Sequence, residues 1–159
     1  MITLGIDPGT AITGYGCVFM KGNTFEVLDY GCITTKADWS LGERLQKIFL
    51  EINKLINKFT PNCLAIESIF FNRNIRTAIS VAQARGVVLL AGTMAHLSVS
   101  DYTPPQVKLA VTGYGKADKK QMQQMIKTLL NLDETPKPDD AADALAVAIC
   151  HLHSNAILI

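Results

Sequence analysis

Hydrophobic positions along the chain predict strands alternating with helices. Apolar runs and turn signals predict five strands, at residues 2–6, 15–20, 25–34, 63–66 and 99–102. Helical spacing of apolar residues, alanine-rich composition and capping signals predict helices at residues 41–59, 75–95, a brief one from 104, 118–130 and 139–154. Three opening strands followed by alternating helices and strands indicate an α/β domain with a mixed sheet.

Local motifs sharpen three of these elements. Ser40 and Glu43 form the S-x-x-E pattern of a capping box, which predicts the start of the first long helix. A Lys-Gly-Asn sequence at 21–23 predicts a hairpin between the second and third strands. Ala78, Ala82 and Gly86 are small, so we expect the second long helix to pack closely against the sheet or another helix at these positions.

Composition is that of one compact domain. With 159 residues, 48% of them hydrophobic, the chain suffices for one core, so we expect a single domain over 1–159. No segment approaches the ~20 apolar residues of a membrane span, and the opening strand does not resemble a signal peptide. We therefore expect a cytoplasmic protein with no membrane partner. The four cysteines form no C-x-x-C pair, which favours reduced core residues over zinc ligands or disulfides.

The formal net charge of +1 conceals an uneven distribution. Residues 68–132 contain eight basic side chains against two acidic ones, so the middle of the chain carries an excess of six positive charges. Such an excess suits a nucleic-acid surface, although a solvated surface of mixed sign gives the same pattern.

Two predicted strands end in an acidic residue. Asp7 follows the first strand and Glu67 follows the fourth, and ligands of α/β sheets bind beyond the carboxyl ends of strands. If these strands are neighbours, the two carboxylates share one crevice. Taken singly, Asp7 before Pro-Gly is also a common turn former, and Glu67 alone fits an exposed surface position.

The last predicted helix begins with a cluster of acids. Asp140 and Asp143 are three residues apart and so lie on one helical face. Four carboxylates at one point require divalent cations, and oxygen ligands suit Mg²⁺, or Mn²⁺ in its place, rather than zinc. Two such ions ~4 Å apart could promote in-line attack of water on a phosphate. The acids could also serve as helix caps, and to Asp139 we assign that role.

Several motifs, in this order and spacing, resemble the RuvC family of Holliday-junction resolvases. They are Gly5-Ile6-Asp7-Pro8-Gly9, Thr13-Gly14-Tyr15-Gly16, Ala65-Ile66-Glu67, Gln83-Ala84-Arg85-Gly86, Gln106-Val107-Lys108, Gly113-Tyr114-Gly115 and Asp140-Ala141-Ala142-Asp143-Ala144-Leu145-Ala146. The resemblance implies an RNase H-like fold with a five-stranded mixed sheet flanked by helices. It also implies a homodimer acting on four-way junction DNA, two ions per site, and cooperation with the RuvA and RuvB branch-migration proteins.

The resemblance assigns roles to individual residues. Asp7, Glu67, Asp140 and Asp143 match the catalytic, metal-binding acids, and Lys108 and Lys119 match lysines near the scissile phosphate. Phe70 matches an aromatic that stacks on bases near the crossover, a task that Phe71 could share. The remaining candidates for contact with the DNA are basic residues, Arg73, Arg76, Lys116 and Lys120.

Two other functions fit parts of this pattern. A junction-binding protein that does not cut would share the DNA surface, but no acid of the motif is missing here. A phosphotransferase of the actin and sugar-kinase type has a similar first phosphate loop, yet it requires a second such loop in a duplicated domain. The sequence therefore favours a junction-resolving nuclease, and it does not reveal which bases are preferred at the cut.

Overall fold

A computed structural model describes residues 1–68 and 75–156 of the chain, with side chains described over 1–68 and 78–154. Five strands and five helices are found in this part. The strands are β1 (Ile2–Asp7), β2 (Ile12–Lys21), β3 (Thr24–Thr34), β4 (Cys63–Glu67) and β5 (Ser98–Tyr102). The helices are α1 (Leu41–Phe59), α2 (Ile75–Met94), α3 (Pro104–Thr112), α4 (Lys119–Leu129) and α5 (Asp139–Ala156).

The strands form one mixed sheet in the order β3-β2-β1-β4-β5. The first three are antiparallel, whereas β4 and β5 run parallel to β1. The predicted hairpin between β2 and β3 is confirmed, with Gly22 at a positive φ of 59° that favours glycine. The α/β class and the five-stranded mixed sheet are confirmed as well. β2 is longer than predicted because its two ends, Ile12 to Thr13 and Met20 to Lys21, continue to pair with β3 beyond the part that pairs with β1.

Helices cover both faces of the sheet, and each face has its own core. On one face, α1 and α2 pack large aliphatic side chains against alternate residues of β1 and β4, such as Leu4 and Ile66. On the other face, α5 lies against the sheet, with α3 and α4 outside it. The predicted capping box starts α1, since the Ser40 N–H donates to Glu43 Oε2 over 2.8 Å.

Glycines let α5 lie directly on the sheet. A Cβ atom added to Gly5 would stand 2.2 Å from the Ala144 carbonyl oxygen, and one added to Gly14 would stand 1.9 Å from the Asp140 carbonyl oxygen. Both contacts are with backbone, which cannot move aside without shifting the helix. These glycines therefore fix how closely the start of α5 approaches β1 and β2.

The closest approach of α2 to the sheet does not lie at the predicted small residues. Within the chain, Gly86 is exposed and a Cβ atom there would meet nothing within 4 Å, and Ala82 is exposed too. The close approach to the sheet occurs instead at Gly92, where a Cβ atom would lie 2.7 Å from the Leu64 side chain. No helix among the described residues is long and apolar enough to cross a membrane.

Candidate active site

Asp7 and Glu67 lie side by side on the α5 face of the sheet. In the parallel ladder of β1 and β4, Gly5 pairs with Ala65, and each acid lies two residues further along its strand. Because side chains alternate between faces, both acids point to the same side. Their carboxyl groups are close enough for each to influence the pKa of the other. The condition set by the sequence, that the two strands be neighbours, is met.

The first turns of α5 bring two more acids to the same point. Asp140 and Asp143 both interact electrostatically with Asp7, as does Glu67. Asp143 is half-buried between the fully buried Ala142 and Ala144, one turn into the helix. Four carboxylates from β1, β4 and α5 therefore converge beyond the ends of the central strands.

Burial and mutual repulsion strongly favour the protonated form of Asp7. Removal from water is the larger cause, followed by the negative charges of Glu67, Asp143 and Asp140, and together they raise its pKa to about 8. Burial also raises the pKa of Glu67 and that of Asp143. For Glu67, the charge of Asp143 adds to this rise, while Lys108 acts against it. A group of acids that resists ionisation in this way is expected where positive charge is to be bound.

Two lysines border the acids across a cleft of about 250 Å³. Lys108 and Lys119 line it together with Glu67 and Asp143, so the structure brings both predicted lysines to the acids. Each lysine is placed by the start of its helix. The Thr103 N–H donates to Gln106 Oε1 over 2.9 Å before α3. At α4, the Gln121 N–H donates to Asp118 Oδ1 over 2.9 Å.

The capping role assigned to Asp139 is wrong. The carbonyl of Pro138 accepts the first hydrogen bonds of α5, so Asp139 already lies inside the helix. Its carboxylate turns to α4, where Oδ2 lies 2.8 Å from Lys119 Nζ and Oδ1 accepts from Gln123 Nε2 over 2.8 Å. The sequence analysis did not predict this contact. The available signal was that Lys119 and Gln123 are one helical turn apart and so share one face of α4. The Lys119 hydrogen bond lowers the pKa of Asp139 and raises that of Lys119.

The other predicted DNA contacts are distributed differently. Lys120 lines a separate groove between α4 and the turn after α3, and Lys116 is exposed on the loop that precedes α4. Phe70, Phe71 and Arg73 lie outside the described residues. The side chain of Arg76 also lies outside them. Their proposed contacts with DNA stay predictions.

The four carboxylates have the ligand chemistry that suits a divalent cation, but their side chains are not already arranged around one. All four supply oxygen ligands, which suit Mg²⁺ or Mn²⁺. Within residues 1–68 and 75–156, no three His, Cys, Asp or Glu side chains already form a group that could hold a metal ion. Binding would therefore require the carboxylates to lose protons and draw together around the cation.

The strand order, with acids at the ends of the two central parallel strands and on the helix that crosses them, defines an RNase H-like nuclease fold. The same architecture occurs in the yeast mitochondrial Holliday junction resolvase, which is 15% identical, covers 98% of this chain and 81% of that one, and superposes with a TM-score of 0.71.

The family described as "Crossover junction endodeoxyribonuclease RuvC" matches residues 3–151. A protein of that name from Desulforamulus reducens is 56% identical over 151 residues, covering 95% of this chain and 93% of the relative. Thermus thermophilus RuvC in complex with Holliday junction substrate is 35% identical, has a TM-score of 0.95, and covers 99% of this chain and 96% of that one. The chain belongs to the RuvC family, as the resemblance in its motifs predicted.

Proposed function

We propose that this chain resolves four-way DNA junctions by hydrolysing one phosphodiester bond in each of two like strands, with Asp7, Glu67, Asp140 and Asp143 as the catalytic acids. One observation carries the proposal: these acids come from three distant segments and converge at the ends of β1 and β4. The family's name and the junction bound to the Thermus relative support the substrate. The alternatives of a non-cutting binder and a phosphotransferase find no support in the comparisons.

Hydrolysis by this site joins a water oxygen to phosphorus and breaks the bond from phosphorus to the 3′ oxygen. The water loses a proton, the departing 3′ oxygen gains one, and the products are a 5′-phosphate and a 3′-hydroxyl. Two Mg²⁺ ions, or Mn²⁺ in their place, held by the four carboxylates would activate water and stabilise charge on the leaving oxygen. The carboxylates themselves orient the reactants and, once ionised, accept protons at their oxygens.

The two lysines of the cleft balance the negative charge of the reaction. Lys108 and Lys119 face Glu67 and Asp143 from α3 and α4, so a phosphate entering the cleft would lie between acids and ammonium groups. A cation beside the phosphate offsets the charge that builds on its oxygens during attack. We assign the lysines to the scissile phosphate on this basis.

The decisive test compares a mobile four-way junction with a linear duplex of matching sequence, with Mg²⁺ and then with EDTA. Symmetric nicking of the junction alone, abolished by EDTA, is the expected result. Asp7→Asn should lower the nicking rate by about a thousandfold, because the ions lose a central ligand, while junction affinity is retained. Undiminished nicking by Asp7→Asn would exclude the assigned acids, and equal cutting of the duplex would indicate a general nuclease.

We also propose that two copies of the chain pair through the outer face of α2. Ile79, Leu90 and Met94 are each more than half exposed on this helix, and Gly86 lies between them with open space around it. An apolar stripe with a glycine at its centre allows a second helix to approach closely. Paired nicking of like strands requires two sites, and a homodimer would supply them.

Sedimentation at micromolar concentration tests the pairing. Leu90→Lys should convert a dimer into a monomer, because it places a charge in the apolar contact. Leu50→Lys on α1 is the matched control, since Leu50 is equally exposed, at 50% against 53% for Leu90, but lies on another helix. A wild-type monomer, or equal effects of both substitutions, would refute the interface. Cooperation with RuvA and RuvB and a cytoplasmic location remain predictions of the family resemblance.

A further inference from the structure

We infer that Asp139 is a positioning residue that holds the Lys119 ammonium group at the mouth of the acidic cleft, an inference that rests on the proposed function. Asp139 is not one of the four acids assigned to the ions. Its two carboxylate oxygens contact Lys119 and Gln123 in the first turns of α4. It is therefore available to orient a neighbour.

Lys119 needs a partner to stay where it is. It is the first residue of α4, and the positive end of the helix dipole disfavours a cation there. Its side chain is 57% exposed and has four rotatable bonds, so it has many alternative conformations in water. The 2.8 Å contact between Lys119 Nζ and Asp139 Oδ2 selects the conformation that lines the cleft.

Asp139 is itself held in place from both sides. Its second oxygen accepts the hydrogen bond from Gln123 Nε2, and Gln123 lies one turn beyond Lys119 on the same helix. Its backbone lies in the first turn of α5, where a negative charge is favoured, next to Asp140 and one turn before Asp143. Asp139 therefore ties Lys119 to α5, the helix that also carries Asp140 and Asp143.

Cleavage and binding should respond differently if this inference is right. Asp139→Asn keeps the shape of the side chain but removes the charge that attracts Lys119. The single-turnover cleavage rate of a saturated junction in Mg²⁺ should fall about two- to fivefold, the range of an exposed ion pair. Junction affinity in EDTA should be unchanged or higher, because one negative charge fewer faces the DNA. Asp133→Asn, an exposed acid outside the helices, is the charge-matched control and should cleave at the wild-type rate.

A double-mutant cycle with Lys119→Ala shows whether Asp139 acts through Lys119. In the Lys119→Ala background, Asp139→Asn should have no further effect, since the group that it positions is gone. Asp139→Glu should restore most of the lost rate. Gln123→Ala keeps the charge but frees one carboxylate oxygen, so it should cause a smaller fall and provides a second test if Asp139→Asn folds poorly.

Three results would overturn the inference: an Asp139→Asn rate equal to that of wild type, an equal loss with and without Lys119, or a loss explained by weaker binding. These outcomes differ from a failure of the proposed function, in which the wild-type protein itself would not nick the junction.

Discussion

The two faces of the sheet pack against their helices in different ways. The face covered by α1 and α2 is filled by large aliphatic side chains, among them Leu4, Ile52 and Ile66, each fully buried. The face covered by α5 also buries large side chains, such as Leu145 and Ile149, but at its acidic end the backbone of α5 lies directly on Gly5 and Gly14 of the sheet. Large side chains bury much apolar surface and tolerate small shifts of a helix. Backbone against backbone tolerates none, so the second face sets the position of the four acids that we propose to be catalytic.

A cavity on the first face should give the largest loss of stability without harming the chemistry. Ile52→Ala removes buried methyl groups from α1 and should lower the free energy of unfolding by about 2 to 5 kcal/mol. Urea denaturation measures the loss. Below its unfolding transition the variant should nick junctions close to the wild-type rate, because α5 and the acids are untouched. A proportionate loss of cleavage would show that the faces are not separable in this way.

An added methyl group on the second face should have the opposite pattern of effects, with a smaller loss of stability and a larger loss of cleavage. Gly5→Ala forces a Cβ into the Ala144 carbonyl and should cost about 1 to 3 kcal/mol of stability. Because α5 must move outward by about an ångström, the cleavage rate should fall about a hundredfold. Single-turnover nicking at a temperature where both variants are folded compares Gly5→Ala with Ile52→Ala. A smaller effect of Gly5→Ala than of Ile52→Ala on nicking would contradict the comparison.

The buried charge of the second face predicts a pH dependence of stability without metal. The pKa of Asp7 is raised from 3.8 in an unfolded chain to about 8 in the fold, so the folded state retains a proton that the unfolded state has lost. Stability in EDTA should therefore fall as the pH rises through this interval and level off above about pH 8. Asp7→Asn should flatten the fall and leave the protein more stable than wild type near pH 8. The free energy of unfolding is measured at several pH values, with Asp133→Asn as the control. If Asp7→Asn and Asp133→Asn lose stability in parallel as the pH rises, the interpretation is wrong.

A substitution on the solvent-facing side of α2 should have the smallest effect on stability. Gly86→Ala replaces an exposed glycine inside α2 where a methyl group meets nothing, so it should stabilise the chain by about 0.5 to 1 kcal/mol. The measurement is made in the Leu90→Lys background, where we expect a monomer. If the proposed pairing through α2 is right, the gain should shrink or vanish without Leu90→Lys, because the methyl group then crowds the second copy.

The sequence predicted the acids better than it predicted their surroundings. Asp7 and Glu67 could be placed at strand ends from apolar runs, and Asp140 and Asp143 on one face from their spacing. That β1 and β4 are neighbours in register could not be read from either strand, because pairing over 60 residues depends on the whole fold. The family resemblance supplied what local pattern could not.

Two of the packing partners could not be predicted, for the same physical reason. An acid at a helix start looks the same in sequence whether it caps its own helix or binds another, and Asp139 does the second. A small residue in a helix indicates close packing but does not identify the packing partner, and Gly86 faces away from the sheet. In both cases the local signal was real, and the partner was set by tertiary structure.

The position of α5 in chain order bears on when the enzyme becomes active during its own synthesis. A ribosome that has released the chain through α4 has delivered Asp7 and Glu67 but neither Asp140 nor Asp143. A polypeptide that stops before α5 therefore lacks two of the four acids that we propose to be catalytic. On that assignment, the active site is complete only when α5 packs against Gly5 and Gly14.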